Sequence, residues 1–275
     1  MVFWIQIPEE KEETAMALKW MLHRITHRKR TYILLGLLLI GFSVTGGVTR
    51  YYSANHELML LNMAFATNFD TMDAWQSWHE RWQYTWLVSA ISMTGLLPLL
   101  LNIIPHPNDP ELTVPVTMGQ SRSSTFFAQL ICYDLAVIVL WLGYLVVGYL
   151  FGRIPLRPLF PTGFYFRTIG YALLLQLGYA NLALALVLLF KNHILGIIVA
   201  IVALMQLNML KNLGFLWNIL STISYASRGR DSLWMWAVDS QPELSQVLTL
   251  ILFPVVTTAL SCLVGLISIH RRDLA

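Results

Sequence analysis

Residues 130–151 read Leu-Ile-Cys-Tyr-Asp-Leu-Ala-Val-Ile-Val-Leu-Trp-Leu-Gly-Tyr-Leu-Val-Val-Gly-Tyr-Leu-Phe, with Asp134 as the one formal charge. A helix needs about 20 apolar residues to cross the hydrocarbon of a bilayer, and this stretch supplies them. Working outward, similar runs occur at Thr31–Thr49, Trp86–Ile104, Ile169–Phe190, Ile194–Leu210 and Val247–Ile269. The reading is an all-α integral membrane protein with six transmembrane helices, at about 31–49, 86–104, 130–151, 169–190, 194–210 and 247–269. The fourth run has no formal charge, and the fifth is short and carries Gln206 and Asn208. Pro98 and Pro254 fall inside the second and sixth, where kinks are expected.

The composition agrees. Of 275 residues, 56% are hydrophobic and 12% charged, half the charge of an ordinary soluble domain. A net charge of +3, divided along the chain, gives no reason to expect nucleic-acid binding. Cys132 and Cys262 both lie in apolar runs, which leaves neither a disulfide framework nor a cysteine metal site. Residues 1–30 hold six Lys/Arg and four Glu, so a cleaved leader is not expected.

Lys19, Arg24, Arg28, Lys29 and Arg30 precede the first span, and Arg271 and Arg272 follow the last. An excess of Lys and Arg marks the cytoplasmic side, so both termini are expected inside, in a multi-pass protein of the plasma membrane. Arg153, Arg157 and Arg167 then fall outside; ten Lys/Arg lie inside and eight outside. The division is a 1–30 cytoplasmic amphipathic and basic segment, followed by a 31–275 six-helix transmembrane domain. In the first segment Leu18, Met21, Leu22 and Ile25 share one helical face, as in a helix lying flat under the inner leaflet. His23 and His27 belong to its basic surface rather than to a metal site. Outside, Trp75, Trp78 and Trp82 share a helical face suited to anchoring at the headgroups, with a vestibule contacting substrate as the alternative.

Catalytic signatures are missing. There is no Gly-Lys dipeptide for a phosphate-binding loop, no G-x-S-x-G elbow and no H-E-x-x-H helix. His56 with Met59, Met63 and Met72 would suit copper, but methionines so spaced are ordinarily packing, and no metal or cofactor is expected on this chain. Asp134 is the one firm intramembrane ionisable group, and such groups are functional candidates by default. Lying a turn or two inside the cytoplasmic end of its span, it reads as structural or as a proton relay; with Gln176 and Asn181 it forms a candidate polar site, for interhelical hydrogen bonding or along a translocation path. Between the second and third spans, residues 105–129 open with prolines and rise through Ser121-Arg122-Ser123 into the next span. This segment reads either as a short surface helix able to pass force from a soluble partner, or as a plain loop with a helix start at Ser123 or Ser124.

Pro115-Val116 and Ser121-Arg122 resemble the Pro-Val-Ser-Arg-like stretch of ABC-2-type permeases, the membrane subunits of ATP-binding-cassette exporters. Arg28-Lys29-Arg30, the turn Phe190-Lys191-Asn192-His193 and the ending His270-Arg271-Arg272-Asp273-Leu274 resemble the same family. The chain departs from the pattern in the six-residue step from Val116 to Arg122, and in Gln129 where a lysine is usual. The resemblance implies a non-enzymatic transport subunit that pairs with a second permease copy, identical or not, in the bilayer. It also implies two copies of a separate ATPase subunit, which would bind ATP and Mg, coupled through 113–126 by Pro115, Val116, Ser121, Arg122, Ser123 and Phe126. The alternatives are a gradient-driven transporter or assembly factor without an ATPase, and an integral-membrane enzyme using Asp70, Asp73, Glu80 or Asp134.

Overall fold

The computed structural model describes residues 10–55, 86, 94, 96–102, 120–152, 162–190, 192–204 and 242–270. Among these residues there is no strand. The helices are α1 (Glu10–His27), α2 (Lys29–Asn55), α3 (Leu97–Leu100), α4 (Arg122–Gly152), α5 (Thr162–Leu189), α6 (His193–Leu204) and α7 (Leu244–His270). Three stretches are long and apolar enough to cross a membrane: Arg122–Leu150, Phe166–Leu189 and Leu244–Ile269. They coincide with the expected third, fourth and sixth spans. The first expected span lies within α2, and the fifth begins as the shorter apolar helix α6. Trp86, Thr94 and Leu96–Asn102 represent the second.

Helix starts follow local chemistry. Asn192 accepts from the N–H groups of Ile194 and Leu195 at 3.0 and 3.3 Å and so caps α6. At α7 the Glu243 N–H donates to Gln246 Oε1 at 2.8 Å, the backward half of a capping box. Pro98 does not interrupt a long described helix; it stands in the first turn of α3, where a missing N–H costs nothing. Pro254 does lie inside α7. There Thr258 Oγ1 donates to the Pro254 carbonyl at 2.7 Å, and Thr257 Oγ1 lies 3.0 and 3.1 Å from the Phe253 and Pro254 carbonyls.

The packing is inside-out relative to a protein in water. Gln176, Asn181, Thr257 and Ser261 are buried, while Leu248, Leu252, Val255, Val256 and Leu263 of α7 are half exposed or more. The polar side of α7 therefore faces protein and its apolar side faces outward, as a lipid solvent requires. Among the three long helices α5 is the most enclosed and α7 the least.

Paired contacts give the helix directions. Gly178 meets Phe253 and Pro254, Asn181 meets Thr258, and Leu188 accepts from Ser268 Oγ, so α5 and α7 run parallel. Phe126 meets Gly265, while Asp134 meets Asn181 beside Thr258, so α4 runs antiparallel to α7. Trp86 pairs with Tyr144 and Leu97 with Tyr133, eleven residues apart on both sides, which sets this segment antiparallel to α4. Parallel α5 and α7 require the chain between them to travel back along the bundle. α6 begins that return, packed against α5 so closely that a methyl on Gly196 would stand 3.0 Å from the Val187 backbone.

Candidate coupling end and polar core

The first turns of α4 carry the best candidates from the sequence. Ser121 Oγ accepts from the Ser124 N–H at 3.1 Å, the bond of a helix N-cap. The Thr125 N–H and Oγ1 both reach the Ser121 carbonyl at 3.1 Å. The helix thus begins at Arg122, eight residues before the apolar run at Leu130. Ser-Arg-Ser-Ser-Thr is too polar to count toward a membrane span, yet a serine cap starts a helix there without apolar help. Residues 122–126 are accordingly the base of a single 31-residue helix, ~45 Å long at 1.5 Å per residue. The helix start lies one or two residues before the expected Ser123 or Ser124.

The expected coupling residues are placed differently from one another. Ser121 is exposed, Arg122 and Ser123 are half-buried, and Phe126 is fully buried. The Phe126 ring fills the space where Gly265 lacks a side chain, and a methyl there would overlap it. Phe126 therefore ties α4 to α7 instead of presenting a surface. Pro115 and Val116 lie outside the described residues, as do 103–119, the outer aromatic segment, the His56–Met72 group, Asp70, Asp73, Glu80, Arg153, Arg157, Lys191, Gln206, Asn208 and the stretch from Arg271 on.

α1 docks on the same end of α4, where Ser124 Oγ donates to Thr14 Oγ1 at 3.0 Å. Ala17 and Met21 are wholly buried, Leu18 and Ile25 partly, and Leu22 is turned outward. The apolar face is thus rotated by a residue from the expected one, and protein takes up part of what the sequence assigns to lipid. On the outward side the His23 and His27 rings lie 3.9 Å apart, tilted by 38°, and the half-buried Arg24 lies 5.1 Å over the Trp20 ring. No group of three His, Cys, Asp or Glu suited to a metal occurs among the described residues.

Deeper in the bundle Asp134, from α4, meets Asn181 of α5. Asn181 Nδ2 lies 3.2 Å from Asp134 Oδ1, 3.1 Å from the Leu177 carbonyl and 3.1 Å from Thr258 Oγ1. Two of the three polar residues expected to act together do meet. Gln176 is fully buried on the same helix. Thr258 is the residue sequence reading missed; small hydroxyl residues at 257, 258 and 261 in an apolar helix carried the signal. The second omission is the clasp beyond it. Trp86 Nε1 donates to the Tyr144 carbonyl at 3.2 Å, and Tyr144 Oη donates to the Trp86 carbonyl at 2.7 Å. Their rings stack at 4.2 Å, and the Phe42 edge meets Tyr144 at 5.2 Å.

Taken together, helices of this length and polarity fit an all-α membrane protein. No family model, curated protein or solved structure matches the chain.

Proposed function

We propose that this chain is the permease subunit of an ABC-2-type exporter, a six-span plasma-membrane protein with both ends cytoplasmic. Two copies form the translocation path, and two copies of a separate ATPase carry ATP and Mg. The observation that carries the reading is the continuity of α4 from the capped Ser121-Arg122 end to the polar core. Displacement of the segment before Arg122 passes into the bundle along one rigid helix, as coupling to an external motor requires. The alternating helix directions support a serpentine of crossings. α1 and the last turns of α7 both lie near the start of α4, which supports termini on one side.

The test is purification of tagged chain from native membranes. An ATPase with a phosphate-binding loop is expected to co-purify, and Arg122→Glu is expected to lower its stimulated ATP hydrolysis while membrane insertion stays intact. An unchanged hydrolysis rate removes the coupling assignment. One observation favours a second reading, a gradient-driven transporter: the carboxylate of Asp134 within the bundle. Uptake or efflux by the chain alone in liposomes under an ion gradient, without ATP, would select that reading.

A further inference from the structure

The cluster around Asp134 is short of hydrogens. Asn181 Nδ2 carries two, yet three oxygens lie within 3.2 Å of it: Asp134 Oδ1, the Leu177 carbonyl and Thr258 Oγ1. Thr258 spends its own hydrogen on the Pro254 carbonyl at 2.7 Å. Asn181 is 1% exposed, and its Oδ1 is buried with no donor among the described residues. Asn181 is the one described hydrogen-bond partner of Asp134, so the second carboxylate oxygen receives no described donor.

Nor does a positive charge compensate. The groups facing Asp134 are neutral: Asn181 from α5, and Thr258 with Cys262 from α7. On its own helix the Tyr133 hydroxyl is committed to the Leu97 carbonyl at 2.9 Å. No Lys, Arg or His among the described residues pairs with the carboxylate. Asp134 lies four residues past Leu130, where the apolar run of α4 begins, ~6 Å along the helix axis. A carboxylate at such a place is costly without a counter-charge.

We propose that Asp134 is a proton-binding site in the apolar run of α4, with Asn181 as its partner in both states. In the ionised state the Asn181 amide donates to the carboxylate, a charge-assisted bond between α4 and α5. On proton uptake, a proton from water joins the second carboxylate oxygen and no other bond breaks. The new O–H supplies a donor at the second oxygen, and the Asn181 amide keeps its bond to the first. A metal ion suits the cluster less well. The uncommitted oxygens are the second oxygen of Asp134 and Oδ1 of Asn181, too few to replace a hydration shell. The inference rests on α4 crossing the membrane and stands under either reading of the function.

The experiment is pH-difference infrared spectroscopy of the full chain in phosphatidylcholine nanodiscs, in sodium-free choline chloride. The wild type is expected to show a protonated-carboxyl stretch that appears and disappears reversibly with pH, and that Asp134→Asn loses. Asn181→Ala is expected to keep the band at a shifted frequency, because the carboxyl loses its partner. Identical spectra for wild type and Asp134→Asn overturn the proposal, as does replacement of the band on adding sodium chloride at fixed pH. Should Asp134→Asn fail to insert, Asn181→Ala decides: an unshifted band overturns the assignment. Loss of ATPase coupling in Arg122→Glu is read separately and leaves this result untouched.

Discussion

The two ends of α4 are held by different means. Toward Gly152, Tyr144 is fixed by two reciprocal hydrogen bonds with Trp86 and by stacked rings only 9° from parallel. Near Arg122 the contacts include the hydroxyl pair of Ser124 with Thr14 and the Phe126 ring over Gly265. A stacked pair closed by reciprocal bonds has one geometry, whereas a phenyl ring over a glycine meets backbone with no side chain to lock it. The contrast is one of means: α4 is held toward Gly152 by an aromatic clasp and toward Arg122 by small hydroxyls and a ring over a glycine.

The largest effect is expected at the clasp. Trp86→Ala removes a wholly packed indole and leaves the Tyr144 carbonyl without its donor. A loss of about 3–5 kcal/mol is expected from truncations of this kind, read as a lowered thermal midpoint of the solubilised protein. Gly148→Ala attacks the same contact from α4, since its methyl would overlap the Trp86 indole. Little change in either variant would remove the anchor and with it the contrast.

At the base a smaller and reparable effect is expected. Gly265→Ala places a methyl inside the Phe126 ring, and overpacking of this kind costs about 1–3 kcal/mol. Adding Phe126→Leu should recover part of that loss, a non-additivity expected only of residues in contact. Thermal midpoints of the four proteins in the cycle measure it. Additive losses would show that the two helices do not meet there.

How much of this was legible follows from which forces act where. Apolar run length reports burial in lipid, so α4, α5 and α7 stand close to their expected positions. It does not report a helix continuing past the lipid, and Ser121 with Arg122 starts α4 through a cap that apolarity cannot register. Asp134 was visible because one charge in an apolar run is conspicuous, and Asn181 because amides in such runs seek partners. Their meeting with Thr258 depends on three helices separated by long stretches of sequence, which no local pattern encodes. Similarly, Trp86 stands at the start of an expected span, where an aromatic suits the interface, yet its indole is 3% exposed and bonded into α4. The same aromatic serves either end, and packing decides.

The smallest effect bears on α1, where sequence and structure assign one face to different partners. Sequence lays the helix on lipid; the structure buries Ala17 and Met21 against protein and joins Thr14 to Ser124. A double-mutant cycle with Thr14→Val and Ser124→Ala separates the two. A neutral hydroxyl pair contributes about 0.5–1.5 kcal/mol, so a coupling of that size is expected if α1 stays docked in a bilayer. Ser124→Ala alone leaves the cap intact, because the bond Ser121 accepts comes from the Ser124 backbone N–H; the variant therefore tests docking without unwinding the helix. A coupling near zero would place α1 on the membrane surface. The base of α4 would then be held by Phe126 over Gly265 without α1, and the difference between its two parts would be larger still.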